Sequence, residues 1–314
     1  MRFVLGPLGT DSADGAEHAD ALVTLATTAE VNGFDGILIA ESRLPEDDGW
    51  AAGFTLAMRL AQHTSAIRLG VQFAPDVTNP VYHAEEAAVL DALSHGRAMA
   101  LVRRATGEEL SRLLPAVPGD RDTRYAEAVE ILLRSWHPNP FAVATEHYRY
   151  PAKAPGNAFA AGVDEISVTP KPTQLAMPAW LVAAGRDDLD LARRLDMPPA
   201  FAPGTPPSGP LSVARPAIAV RELVLADDTD SAWRAALPVL EHRYGRSGTA
   251  PGDWADVAVA GSVDDVVAQL SALRRTGIGV VACRPLWPSA TLEETLTMIR
   301  FFGAAVVPEF RMST

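Results

Sequence analysis

"IRLGVQFAPDVTNPVYHAEEAAVLDALSHGRAMALV", residues Ile67 to Val102, decides the fold. Its ends, Ile67-Arg68-Leu69-Gly70-Val71 and Ala98-Met99-Ala100-Leu101-Val102, are short apolar runs that read as strands buried on both faces. Between them Asn79-Pro80 sets an N-cap ahead of a proline at the first helical position. Gly96 supplies a left-handed stop after His95. Two strands joined by a helix of this length run parallel, because the helix carries the chain back to the edge from which it started.

The same alternation recurs along the chain. Strands are expected near residues 2–6, 36–40, 66–73, 97–102, 179–184, 197–202, 217–225 and 278–283. Helical patterns run from Ala16 to Asn32, Trp50 to His63 and Pro80 to His95, and Gly33 closes the first of them. Ser262 with Asp265, and Thr291 with Glu294, have capping-box spacing and open helices near 263–276 and 292–304. Eight strand–helix units predict a closed (β/α)8 TIM barrel, one domain over residues 1–314, with any site at the C-terminal ends of the strands. The alternative is an open doubly wound sheet, but no Gly-rich dinucleotide fingerprint follows the first strand. Two stretches break the alternation. Residues 137–178 read as an insertion with a hairpin around Glu146–Tyr150. Residues 198–216 hold seven prolines and two glycines, which no regular helix survives. That stretch reads as a loop over the barrel mouth or as a surface linker.

Composition narrows the function. Of 314 residues, 48% are hydrophobic and 21% charged, as in an ordinary globular enzyme. A net charge of −12 argues against nucleic acid as a partner, because neutralising phosphates needs a basic surface. Cys283 is the only cysteine, so nothing calls for an oxidising compartment. The opening apolar stretch breaks at Gly6-Pro7, too short for a signal segment, and no apolar run approaches the roughly 20 residues of a membrane span. A cytoplasmic protein is expected. No histidine pair has metal-ligand spacing, and neither a Gly-x-Ser-x-Gly elbow nor a P-loop occurs. His83 and His95 read as surface or packing residues, Cys283 as a small buried hydrophobe, and Glu46-Asp47-Asp48 as a solvated loop.

The fourth strand ends on Arg103 and Arg104, at the barrel's functional face. Strand alternation sends them to opposite sides, so at most one faces a given ligand. Arg124 lies in "GDRDTRYAEAVEILLRSW", in the first turn of a helix for which Thr123 is a plausible N-cap. Two guanidiniums and a helix start together would suit a phosphate. Spacing alone favours the plainer alternative, that Arg104 and Arg124 pair with Glu108, Glu109 or Asp122.

At this point the chain resembles the bacterial luciferase-like superfamily of flavin- and deazaflavin-dependent oxidoreductases. The resemblance rests on an ordered set of segments that spans nearly the whole sequence. These are "AEVNGFDGILIAES", the Ile67–Arg97 block, "VTPKPTQLAMPAWLVAAG", "VAGSVDDVVAQLSALRRTGI" and "FFGAAVVPEF". It implies a (β/α)8 barrel. It also implies that Arg104 and Arg124 hold the flavin phosphate, and that Val71, Gln72 and Phe73 lie against the flavin ring. Gly185 and Arg186 stand at a helix start that helps hold the phosphate in many members.

The chain also departs from the family pattern. Arg103 occupies a position that is often Gly or Cys, and Leu101 and Ala105 replace small residues. Glu41-Ser42-Arg43 stands where the luciferase branch carries a histidine pair after the glutamate, and Asn79 where histidine is common. Ser42, Gln72, Asn79 and Arg103 are thus the pocket candidates. The resemblance implies reduced FMN from a separate flavin reductase, a small organic substrate and a homodimer. A deazaflavin-dependent hydride-transfer enzyme and a non-catalytic barrel with a degenerate cofactor site stay open beside the monooxygenase reading.

Overall fold

The computed structural model describes residues 1–9, 15–42, 50–114, 120–152, 162–207, 211, 216–245, 254–286 and 289–311. Glu46-Asp47-Asp48 and Arg43 lie outside them. The elements follow in the order β1 (Arg2–Leu8), α1 (Gly15–Val31), β2 (Gly36–Ala40), α2 (Gly53–His63), β3 (Arg68–Phe73), α3 (Pro80–Leu93) and β4 (Ala98–Val102). Next come α4 (Gly107–Leu113), α5 (Arg121–Trp136), β5 (Val143–Ala144), β6 (Arg149–Tyr150), β7 (Ala179–Ala183), α6 (Arg186–Arg194), β8 (Pro199–Phe201) and β9 (Ala217–Leu225). The chain ends with α7 (Thr229–Tyr244), β10 (Ala258–Gly261), α8 (Val263–Arg275), β11 (Ile278–Arg284), α9 (Leu292–Ala305) and α10 (Val307–Arg311).

β1, β2, β3, β4, β7, β8, β9 and β11 pair in that order, all parallel, and β11 returns to β1 to close the barrel. These are the eight strands expected from the sequence. β9 is nine residues long. Its first half pairs with β8 through Ile218 and Ala219, and its last four residues pair with β10, a ninth strand outside the barrel.

Alternation along each strand separates two cores. Val4, Leu38, Met99, Leu101, Trp180, Ala200, Ile218, Val220, Val280 and Ala282 fill the barrel interior. The outward-facing strand residues, such as Phe3, Ile37, Val71, Phe73, Val102 and Cys283, pack against the surrounding helices. Gly70 makes room inside: a Cβ there would fall 2.4 Å from Leu38 Cδ2 and 2.8 Å from Met99 Cγ.

The helix signals hold at Asn79, whose side chain accepts the Val81 N–H, and at the Ser262–Asp265 and Thr291–Glu294 capping boxes. α2 starts later than expected. Trp50 instead forms an isolated parallel bridge with Glu41, and the helix begins at Gly53. α5 starts one turn earlier than a Thr123 cap would set it. The Asp120 carboxylate accepts both the Thr123 N–H and its hydroxyl, so Asp120 is the cap.

The insertion over 137–178 holds the short antiparallel hairpin β5–β6. In the proline-rich stretch, Ala202 and Pro203 border the mouth. Leu211 lies beside Gly277 and Pro216 beside Gly279, at the opposite end of the barrel. Among the described residues, the stretch thus borders the mouth at Ala202 and Pro203 and reaches the opposite end at Leu211 and Pro216; residues 208–210 and 212–215 lie outside them. No described helix is long and apolar enough to cross a membrane.

Candidate functional site

All eight barrel strands contribute to one cavity at their C-terminal ends. It measures about 350 Å³ and is lined by Pro7, Ala40, Gln72, Arg103, Val182, Ala202 and Arg284 at or near the strand ends, with Val220 from the middle of the long β9. Glu41, Ser42 and Thr106 border it on one side, with Arg243 and Tyr244 from the end of α7 on the other. A second cavity of similar volume lies outside the barrel wall, between β9, β11, α7 and α9. The mouth is the better candidate, since strand ends, polar groups and arginines converge only there of the two.

The pair of arginines divides as alternation requires. Arg103 points into the mouth and Arg104 away from it. Arg103 forms a two-pronged ion pair with Glu109, at 2.7 and 2.6 Å, and donates to the Glu41 carbonyl at 2.9 Å. Glu109 is 1% exposed and is fixed by the Thr106 capping box. Burial works against its charge, but the hydrogen bonds and charge of Arg103 outweigh it and hold the carboxyl below its ordinary range.

Arg104 leans over the Tyr125 ring, 4.6 Å from its centroid. It donates to Asp188 at 3.0 Å and to Asp122 at 2.5 Å. Asp188 is buried and also accepts the Ala184 N–H, so it is held in place, whereas the Asp122 side chain is 67% exposed. Burial opposes the Arg104 charge, and the two carboxylates more than restore it, raising its proton affinity. Arg124 donates from Nε to the Asp76 carbonyl at 3.0 Å and stacks on Tyr148. Its own N–H is spent in the helix on the Asp120 carbonyl, so the free helix-start donor expected here is absent.

The other candidates fall in different places. Ser42 and Gln72 line the mouth. Val71 and Phe73 turn their side chains outward under the helices, so only their backbone faces the cavity side. Asn79 caps α3 and accepts the Tyr150 hydroxyl at 2.7 Å. Gly185 precedes α6 without a side-chain cap, and Arg186, with a side chain 92% exposed, reaches Asp190 rather than the site.

Two buried carboxylates escape sequence reading. Glu222 is fully buried and receives Arg243 at 2.7 Å, Arg284 at 3.3 Å and the Tyr244 hydroxyl at 2.7 Å. The signal for it was present: Arg221-Glu222 interrupts an otherwise apolar strand, and a charge there must find partners. Asp76 is also fully buried. One oxygen accepts the Ala105 N–H, and the other has no partner among the described residues.

Burial pushes the Asp76 carboxyl up to about 6, against the pull of the Ala105 N–H and of Arg103 and Arg104. A carboxyl raised in the folded state is protonated more readily there than in the unfolded chain. Stability is therefore given up as pH rises from the ordinary value near 3.8 through about 6, and is flat above. Asp76→Asn cannot ionise and should gain on the order of 2 kcal/mol over wild type across that interval. Urea unfolding at about pH 4 and pH 7.5 checks it: a difference that does not grow with pH sinks the assignment.

Known proteins share this architecture. A monooxygenase, RslO1, from Streptomyces bottropensis superimposes with a TM-score of 0.79 at 19% identity, over 99% of this chain and 100% of that one. The oxygenating constituent of 3,6-diketocamphane monooxygenase from Pseudomonas putida, in complex with FMN, gives 0.73 at 14% identity, covering 98% of each. A coenzyme F420 dependent tetrahydromethanopterin reductase from Methanopyrus kandleri gives 0.73 at 17% identity, over 98% of this chain and 99% of that one. At these identities the likeness shows the fold alone. Residues 1–209 match the family model described as luciferase-like monooxygenase, two-thirds of the chain and the part that carries β1 to β8. The chain belongs to the luciferase-like monooxygenase family.

Proposed function

We propose that the protein is a flavin-dependent monooxygenase that takes reduced FMN from a separate reductase and oxygenates a small organic substrate in the barrel mouth. The observation that carries this reading is the mouth itself, a cavity of about 350 Å³ lined by Arg103, with Arg104 next in sequence and Arg124 bonded to the Asp76 carbonyl beyond the end of β3. The residues fit the cofactor. Val182, Val220 and Ala40 offer apolar wall, Gln72 and Ser42 uncharged hydrogen-bonding groups, and the two arginines cations for a phosphate. Reduced flavin supplies the electrons with which oxygen is activated.

The chain's part is to bind, orient and keep water out. Arg104 would hold the cofactor's phosphate, with Asp188 fixing the guanidinium and the exposed Asp122 as the partner it would exchange. Gln72 and Ser42 orient the polar edge of a ring in the mouth. The Arg103–Glu109 pair crosses the rim toward Glu41 and narrows the entrance. By family resemblance the protein is a homodimer, and the lone Cys283 and the short apolar opening broken at Gly6-Pro7 suit the cytoplasm.

Anaerobic titration with reduced FMN tests the reading, with riboflavin, which lacks the phosphate, as control. Arg104→Ala and Arg124→Ala are each expected to weaken FMN binding by roughly 1.5–3 kcal/mol and to leave riboflavin binding unchanged. Equal losses for both ligands, or none for either, reject the phosphate assignment. Deazaflavin binding in place of FMN would select the hydride-transfer reading, for which the F420-dependent neighbours speak. The double carboxylate clamp on Arg104 favours the remaining reading, a non-catalytic barrel, and binding of none of these cofactors would select it.

A further inference from the structure

Arg284 is the last residue of β11 and pairs in register with Glu222 of β9. The pair below it in the same register, Ala282 with Val220, belongs to the barrel interior. Strand alternation therefore turns both Arg284 and Glu222 toward the barrel axis, at the level of the mouth. Glu222 is fully buried and does not line the cavity. Arg284 and Arg243 do line it, with side chains 18% and 9% exposed. Nη1 of Arg284 is 3.3 Å from one Glu222 oxygen, and Nη1 of Arg243 is 2.7 Å from the other. The Tyr244 hydroxyl, also on the cavity wall, donates to the first oxygen at 2.7 Å. One carboxylate thus holds two guanidiniums side by side from behind.

The other charged side chains around the mouth repeat this arrangement. Arg103 lines the cavity, while its partner Glu109 is 1% exposed and does not. Glu41 borders the cavity, but its carboxylate is taken by the Gly53 N–H and His83 in the layer outside the barrel. Among the described residues, the side-chain charge presented to the cavity is therefore positive, in a chain whose net charge is −12. Cations on the wall, with carboxylates set behind them, suit an anionic ligand.

We propose that Arg243 and Arg284 form an anion subsite that holds a carboxylate group of the substrate. Calling the bound anion a substrate rests on the flavin reading above; the subsite itself does not. In the closed order of strands β11 lies opposite β4, so the pair stands across the barrel from Arg104 and is separate from the phosphate site. A guanidinium fork matches the two oxygens of a planar carboxylate, and it carries more N–H donors than one carboxylate contact uses. Glu222 fixes both arginines beforehand, so little side-chain freedom is lost when the anion binds. A neutral substrate would desolvate the same donors and give them nothing in return. The substrate class is a small organic carboxylate.

The first arm uses the unmutated apoprotein, with benzoate as the probe and benzamide as its neutral counterpart. Calorimetric titration should show benzamide binding at least about tenfold more weakly than benzoate, the usual difference for a charged hydrogen bond. With arginine side chains labelled with nitrogen-15, benzoate should move the NMR signals of Arg243 and Arg284. Equal binding of the two probes, no binding of benzoate, or a shift confined to Arg103 overturns the subsite. None of these readings depends on a variant folding or on a bound cofactor. In the second arm Arg284→Met is titrated anaerobically with reduced FMN and then with benzoate. FMN binding should stay as in wild type, and benzoate binding to the loaded protein should weaken at least about tenfold. If Arg284→Met instead weakens FMN and riboflavin alike, and benzoate displaces FMN, the arginines serve the flavin ring and the substrate assignment is overturned. If wild type binds no FMN, the flavin reading falls and the word substrate falls with it. The benzoate titration of the apoprotein still decides whether the arginine pair is a carboxylate site.

Discussion

Arg103→Ala is expected to lower the stability of the folded chain by about 3–5 kcal/mol, the loss that follows when one partner is stripped from a buried ion pair. Glu109 is 1% exposed, and Arg103 is its two-pronged partner from across the β4 end. Without the guanidinium the carboxylate keeps only Thr106, through its N–H and its hydroxyl, among the described residues. The pH dependence follows from the lowered Glu109 value. A depressed carboxyl contributes stability above its ordinary value near 4.5, and that contribution is lost as pH falls through the folded-state value. The gap between wild type and variant is therefore widest near neutrality and closes in acid. Urea unfolding across pH reads it directly. Arg103→Met combined with Glu109→Leu should recover most of the loss, because a volume-matched apolar pair has no desolvation to repay. A gap that widens in acid would contradict the assignment.

Glu222→Ala is the second large effect. This carboxylate is fully buried and binds Arg243 and Arg284 on one wall of the mouth, with the Tyr244 hydroxyl on the same oxygen as Arg284. Removing it leaves two guanidiniums, whose side chains are 9% and 18% exposed, facing each other without the anion they share. A loss of about 3–5 kcal/mol is expected, with Glu222→Gln losing less because the amide oxygen still accepts. Thermal unfolding of the two variants beside wild type checks the order. A Glu222→Ala protein as stable as wild type would mean that the wall is held by other contacts.

Much of the barrel was legible because its strands are buried on both faces. Phe3-Val4-Leu5 and Ile37-Leu38-Ile39 must be apolar at every position, with one side filling the interior and the other packing under helices. β10 escaped because Ala258–Gly261 is four residues long, half of them alanine, and is defined by its pairing with the end of β9. α4 escaped because it spans only seven residues, although Thr106 and Glu109 carry a full capping box. The cap of α5 was misplaced because Asp120 and Thr123 are both good caps one turn apart. The carboxylate wins by taking two donors at once.

The site was legible only where alternation governs it. Strand geometry alone separates Arg103 from Arg104. Nothing local says that Arg104 meets Asp188, 84 residues on, or that Glu41 meets His83, 42 residues on. Those contacts exist because β2, β3, β4 and β7 lie side by side, which brings Asp188 of α6 beside the end of β4 and α3 beside the end of β2.

The most direct test of the account is to locate the flavin. Crystals equilibrated anaerobically with reduced FMN should show the ring in the mouth, between Gln72 and Ser42 on one side and Val182 and Val220 on the other. The phosphate should lie against Arg104 and Arg124, with Asp122 displaced. A ring found in the cavity between α7 and α9, or a mouth without flavin at saturating FMN, would contradict it.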